Sequence, residues 1–202
     1  MRVVHTPEEM RKLSNRGHWV EGGLLGIVGI LALMQLWVME AWVGVLLPVL
    51  LLKVGLLLVV FMYAHHPPTD WPLIWADPQS KQHTIMATLL SLAGLVELLR
   101  AVGIAAGSSW AFVWPLVLIV VGIMFMIHTQ HGNHTAMAQA VRSHRILGIT
   151  IVGGGLIKSV HVLWSGTIFA YLWPLLLLAA AIQLLIYREP EGAYANAGHG
   201  KD

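Results

Sequence analysis

Long stretches without a charged residue constrain this chain more than any other feature. No Lys, Arg, Asp or Glu occurs between Arg100 and Arg142, nor from Ser159 to Tyr187. A helix crosses a bilayer with about 20 consecutive apolar residues, and both stretches are longer than that. Only 11% of the chain is charged, against roughly 25% in soluble domains. The sequence therefore predicts an integral, multi-pass membrane protein.

The apolar segments predict an all-α fold, a polytopic membrane helical bundle of six transmembrane helices. The predicted spans are 19–39, 43–64, 84–102, 110–128, 146–164 and 168–187. Connections are short within successive pairs and longer between pairs, which predicts three helix hairpins at 19–64, 84–128 and 146–187. We expect one transmembrane domain, 1–202, that ends in a short polar tail, 188–202.

A repeated pattern supports the hairpin interpretation. A histidine opens each predicted hairpin, and a proline follows 30, 32 and 30 residues downstream, in the pairs His18 and Pro48, His83 and Pro115, and His144 and Pro174. The second and third hairpins agree further, because Trp precedes Pro in both and an ionisable residue follows the histidine by 14 positions. The pattern predicts three copies of one helix pair.

The distribution of basic residues predicts the orientation in the membrane. With six spans, one face carries nine basic residues in its short loops and termini, whereas the other carries Arg100 alone. The positive-inside rule then places both termini in the cytoplasm, in a multi-pass protein of the inner membrane. The basic residues form no single patch, which argues against a nucleic-acid partner. Expected partners are the lipid bilayer and either other membrane subunits or a second copy of the chain.

Histidines concentrate at the face that carries the termini, and His161 is the exception. Neutral imidazole is the commonest metal ligand, and nearby methionines favour copper. The candidate metal ligands are His65, His66, His83, His128, His131, His134 and His144. The alternative is that these histidines are ordinary interfacial residues and that the methionines fill gaps in the core. Thiolate ligands are excluded, because the chain contains no cysteine.

Four ionisable residues are predicted to lie inside the membrane, namely Lys53, Glu97, Lys158 and His161. Such residues are costly in hydrocarbon and often functional. Glu97 and Lys158 occupy matching repeat positions, so an ion pair of Glu97 with Lys158 or Lys53 would neutralise both charges. Two roles remain open for these residues, a structural clasp and a proton or ion path.

The histidine-bearing hairpins resemble a known family. The pattern His83…Glu97…Trp114-Pro115…His128-x-x-His131-Gly132, echoed by His144…Lys158…Trp173-Pro174, resembles bacterial polytopic membrane proteins related to copper resistance protein D, over residues 83–187. The resemblance implies a protein that handles copper. The predicted function is binding of copper or another late transition metal at the histidine cluster, for metal handling or delivery, without catalytic activity of its own. The alternatives are an accessory subunit of a membrane oxidoreductase complex and an electron carrier with haem b.

Overall fold

A computed structural model describes residues 6–37, 41–64, 71–76, 78–104, 107–127, 134–164 and 166–190. Within these ranges the chain is helical and contains no strand. The α-helices are α1 (Pro7–Met34), α2 (Ala41–Ala64), α3 (Trp71–Ala76), α4 (Pro78–Ala101), α5 (Val113–Ile127), α6 (His134–Leu163) and α7 (Thr167–Ile186). A short 3-10 helix, Ser108–Phe112, leads into α5. The all-α prediction is confirmed.

Five stretches of the described helices are long and apolar enough to cross a membrane. They are Ser14–Met34, Lys81–Ala101, Ser108–Ile127, Ala140–Leu163 and Thr167–Ile186. Helix α2 contributes a shorter apolar stretch, Val45–Val60. The prediction of a multi-pass membrane protein is therefore confirmed, and its lipid-facing helices contact the bilayer.

Helix α1 begins well before the predicted span because its first turn is capped by polar residues. The side chain of Thr6 accepts a hydrogen bond from the backbone N–H of Glu9 at 3.2 Å, and the Glu9 carboxylate accepts one from the Thr6 N–H at 2.7 Å. This reciprocal capping box satisfies two backbone donors that a helix start leaves unpaired. The hydrogen bond from Arg11 to Glu8, 2.9 Å long, also lowers the pKa of the Glu8 carboxyl.

Prolines at positions 67, 68 and 72 predict an extended turn over residues 65–72. Part of that prediction is wrong, because helix α3 begins at Trp71 and contains Pro72. Proline is tolerated in the first helical turn, where its missing N–H would have no intrahelical partner. Residues 65–70 lie outside the described part of the chain.

The six long helices form a ring in chain order. The most extensive contacts join α2 to α4, α5 to α6, and α1 to α7, so the last helix returns to the first. Contacts between α1 and α2 and between α4 and α5 are smaller. One apolar core fills the ring, with buried side chains from all six of these helices, such as Ala32, Leu51, Ala93, Val121 and Leu177.

Close approach at two of these interfaces depends on glycine. A Cβ on Gly55 of α2 would lie 2.8 Å from the carbonyl oxygen of Ala87 in α4. Likewise, a Cβ on Gly122 of α5 would lie 2.7 Å from the carbonyl oxygen of Gly148 in α6. Small residues therefore let the backbones touch, which is how van der Waals packing holds helices together in lipid.

The contact between α1 and α7 is built in the same way. A Cβ on Gly22 would lie 3.0 Å from the carbonyl oxygen of Ala181, and one on Gly29 would lie 3.2 Å from the carbonyl oxygen of Pro174. Pro174 is among the most deeply buried residues in the described ranges. Closure of the ring therefore relies on the same small-residue packing as its other two extensive interfaces.

Candidate functional site

A polar and aromatic cluster joins three helices at the face that carries the described N-terminal part of α1 and the C-terminal end of α7. This terminal-face cluster consists of Ser14, Asn15, His18, His144, Tyr187 and Glu189. The ring centroids of His18 and His144 lie 5.8 Å apart, and the Tyr187 ring lies 5.0 Å from His18 and 5.5 Å from His144. Edge-to-face contacts of this kind add to the apolar burial of the rings.

His144 is held in one orientation. Its side chain is buried, with 7% exposed, and Nδ1 lies 2.8 Å from the carbonyl oxygen of Ala140 one turn earlier. A carbonyl oxygen only accepts hydrogen bonds, so Nδ1 carries the proton and donates. This hydrogen bond fixes the orientation of the buried imidazole against the preceding turn of α6.

Glu189 connects the segment that follows α7 to α1. It is buried, with 4% exposed, and its carboxylate accepts hydrogen bonds from the hydroxyls of Ser14 at 3.0 Å and Tyr187 at 3.1 Å. The backbone N–H of Glu189 donates to the side-chain oxygen of Asn15 at 2.8 Å. Because the hydrogen bonds with Ser14 and Asn15 join residues far apart in sequence, they fix the terminal-face end of α1 against the segment that follows α7.

A small cavity lies beside the two histidines. It is lined by His18, Ser143, His144, Leu147, Gln183, Leu184 and Tyr187, and its volume is about 10 Å³. That volume is close to the minimum that holds a single water molecule. The cluster can therefore join helices and hold a water, but the cavity has no room for an organic substrate.

The intramembrane residues predicted from sequence gather at the opposite face, apart from Lys53. Glu97 forms an ion pair with Arg100, one turn along α4, at 2.8 Å. Lys158 places its ammonium 4.6 Å from the ring centroid of Trp173, and His161 lies one turn further along α6. The predicted ion pair of Glu97 with Lys158 or Lys53 is therefore wrong, because Glu97 pairs with Arg100 instead. Lys53 is exposed on α2. We call Glu97, Arg100, Lys158 and His161 the opposite-face cluster.

The structure describes the surroundings of only two of the seven predicted metal ligands, His83 in α4 and the buried His144 in α6. His65, His66, His128 and His131 lie outside the described residues, and the side chain of His134 at the start of α6 does as well. Within the described ranges, no group of three or more His, Asp or Glu side chains is placed to hold a metal ion.

A comparison with protein families gives a different result from the resemblance that rests on the histidine pattern. Residues 85–191, just over half of the chain, match the LiaF transmembrane domain. The chain belongs to the LiaF transmembrane-domain family. The match begins within α4 and ends just after Glu189, so it contains α5, α6, α7 and the carboxylate of the terminal-face cluster. No curated protein and no solved structure matches the chain significantly.

Family membership corrects two predictions. The resemblance to proteins related to copper resistance protein D is wrong, because the matching family is that of the LiaF transmembrane domain. The predicted function, binding of copper or another late transition metal, is wrong for the same reason. The two alternative functions, an oxidoreductase subunit and a haem carrier, are also wrong. His, Trp and Pro at helix ends are common to many interfacial hairpins, so their spacing matched a family to which the chain does not belong.

Proposed function

We propose that this chain is a membrane regulatory protein of a stress response that acts through contacts with another membrane protein. Membership of the LiaF transmembrane-domain family carries the proposal. The terminal-face cluster supports it, because it links α1, which lies before the matched region, to α6 and α7, which lie inside it. A displacement of α1 would therefore be transmitted directly to the family domain.

Expression profiling tests the regulatory role. Cells that lack the protein should show altered transcription of a defined group of genes under a membrane-active stress, and the wild-type chain should restore the normal profile. His144→Phe keeps a ring in the cluster but cannot donate to Ala140, so it should restore the profile incompletely. Arg145→Gln alters the exposed neighbouring position and serves as the control. An unchanged profile in cells without the protein would refute the proposal.

We further propose that α2 is the sixth span, so that the chain comprises three hairpins, α1–α2, α4–α5 and α6–α7. Equivalent positions support this. Gly22, Ala87 and Gly148 each follow the hairpin histidine by four residues, and Gly55, Gly122 and Ala181 each follow the hairpin proline by seven. The first set contacts the second at all three of the extensive interfaces. Each hairpin thus packs its second helix on the first helix of the next.

The same six-span arrangement, with nine basic residues at the terminal face against Arg100 at the other, favours an inner-membrane protein with cytoplasmic termini. The opposite-face cluster would then lie toward the outer leaflet. In the bilayer the exposed apolar side chains of α1 and α2, such as Ile27, Ile30, Leu56 and Val60, are available to lipid or to a partner helix.

A further inference from the structure

The opposite-face cluster carries more positive charge than its carboxylate neutralises. Both oxygens of Glu97 accept from one nitrogen of Arg100, at 2.9 and 2.8 Å. Lys158 lies within electrostatic reach of both residues but forms no ion pair within 4 Å in the described part of the chain. A cation at this depth is costly unless an anion is close by.

Lys158 does not reduce this cost by extending its ammonium toward water. The ammonium lies 4.6 Å from the ring centroid of Trp173, which is itself only 4% exposed. The lysine therefore points toward the interior of the bundle, contrary to the usual behaviour of lysines near the ends of transmembrane helices. A cation–π contact offsets part of the burial cost but supplies no hydrogen-bond acceptor.

Two further polar atoms at this end of the bundle form no hydrogen bond within the described part of the chain. Nε1 of Trp114, whose side chain is 4% exposed, and Nδ1 of His161 are buried without a hydrogen bond. The packing sets Trp114 level with Lys158, because a Cβ on Gly155 would lie 2.8 Å from the carbonyl oxygen of Pro115. Lys158 follows that contact by one turn of α6, and Trp114 directly precedes Pro115 in α5.

The hydrogen-bond donors of this region are suited to binding an oxyanion. The Lys158 ammonium and the indole N–H of Trp114 can donate, and the Glu97 oxygens accept from Arg100 rather than from Lys158. Phosphate offers several acceptor oxygens and a negative charge, and lysine and arginine are its common ligands. Arg100 keeps 34% of its side chain exposed, so the cluster is open to the membrane interface.

We propose that the opposite-face cluster binds the phosphate of an anionic phospholipid in the adjacent leaflet. A lipid is favoured over a soluble anion because Lys158 lies five residues inside the end of α6, about 8 Å along the helix. Exposed tryptophans at this face, Trp110 and Trp164, mark the level of the lipid headgroups. The site does not depend on the regulatory role, so either proposal can fail without the other.

Native mass spectrometry of the delipidated full chain in detergent tests the site, with phosphatidylglycerol as the probe. Lys158→Gln should raise the apparent Kd about tenfold, since it removes a charged hydrogen-bond donor, whereas Lys158→Arg should stay within about twofold. Lys53→Gln makes the same change at an exposed lysine of α2 and should leave the Kd unchanged. Phosphatidylcholine, which has no net charge, should bind more weakly than phosphatidylglycerol.

A second variant keeps the test decisive if Lys158→Gln fails to fold. Trp114→Phe retains an aromatic ring but removes the indole donor, and it should weaken phosphatidylglycerol binding about threefold. An unchanged Kd in folded Lys158→Gln and in Trp114→Phe would overturn the proposal. Displacement of the lipid by inorganic phosphate at equal concentration would also overturn it, because the ligand would then be a soluble anion.

Discussion

At the scale of single residues, Glu189 best shows how polar groups organise this membrane protein. A carboxylate with 4% exposure would be strongly destabilising without hydrogen bonds, yet two hydroxyls donate to it and Asn15 accepts from its backbone N–H. Two of these hydrogen bonds, those with Ser14 and Asn15, connect the segment after α7 to α1. Their loss should therefore weaken the packing of α1 against α7 as well as the local turn.

Replacement of Asn15 tests this coupling. Asn15→Ala removes the acceptor of the Glu189 N–H, and we expect it to lower the free energy of unfolding in detergent by about 1 kcal/mol. Ser14→Ala, which removes a donor to the carboxylate, should add a similar loss. Arg16→Ala changes the exposed neighbouring residue and should have little effect. Equal free energies of unfolding for Asn15→Ala and Arg16→Ala would show that the hydrogen bond between Asn15 and Glu189 does not stabilise the protein.

The sequence indicated part of this site. His144 was a predicted ligand and His18 a repeat marker, because a histidine at the end of an apolar segment is conspicuous. Tyr187 and Glu189 were missed, since their contacts with α1 arise only when the ring closes between the first and last helices. A polar pair directly after an apolar segment was the available signal. Its partners, distant in sequence, could not be inferred from spacing.

At the scale of helices, long apolar runs were enough to predict the elements, but not their neighbours. The lengths of the connections predict which helices form hairpins, but they carry no information on which helices pack most extensively. The most extensive contacts join α2 to α4, α5 to α6 and α1 to α7, because glycine and alanine lie on the facing sides of these helices. Helix association in lipid follows close backbone approach, so small residues are better guides to neighbours than connection length.

Cysteine cross-linking tests the least expected of these contacts, that of α1 with α7. A Cβ on Gly26 would lie 3.6 Å from the Cβ of Ala181, within the range of about 3.5–4.5 Å that disulfides require. The pair Gly26→Cys and Ala181→Cys should therefore oxidise within one chain, seen as loss of free thiols at monomeric mass. Gly23→Cys with Ala181→Cys is the matched control, because a Cβ on Gly23 would contact nothing within 4 Å. Equal oxidation of both pairs would contradict the α1–α7 register.

At the scale of the whole molecule, the number of spans decides where the two ends of the chain lie. An even number places the N-terminus and C-terminus on one side, whereas five spans would separate them. Helix α2 determines which is correct, because its apolar stretch, Val45–Val60, is shorter than the others, although α2 itself extends from Ala41 to Ala64. Its extensive antiparallel packing on α4, a helix long enough to span, favours a full crossing.

Thiol labelling of intact cells distinguishes these arrangements, since the chain has no cysteine of its own. Thr6→Cys and Arg188→Cys report the two ends, and Ser109→Cys reports the exposed 3-10 helix at the opposite face. Nine basic residues at the terminal face predict that an impermeant reagent labels position 109 from outside, and positions 6 and 188 only after permeabilisation. Labelling of position 6 but not 188 in intact cells would mean that α2 does not cross. The three-hairpin arrangement would then be wrong, because its first hairpin would lack a second span.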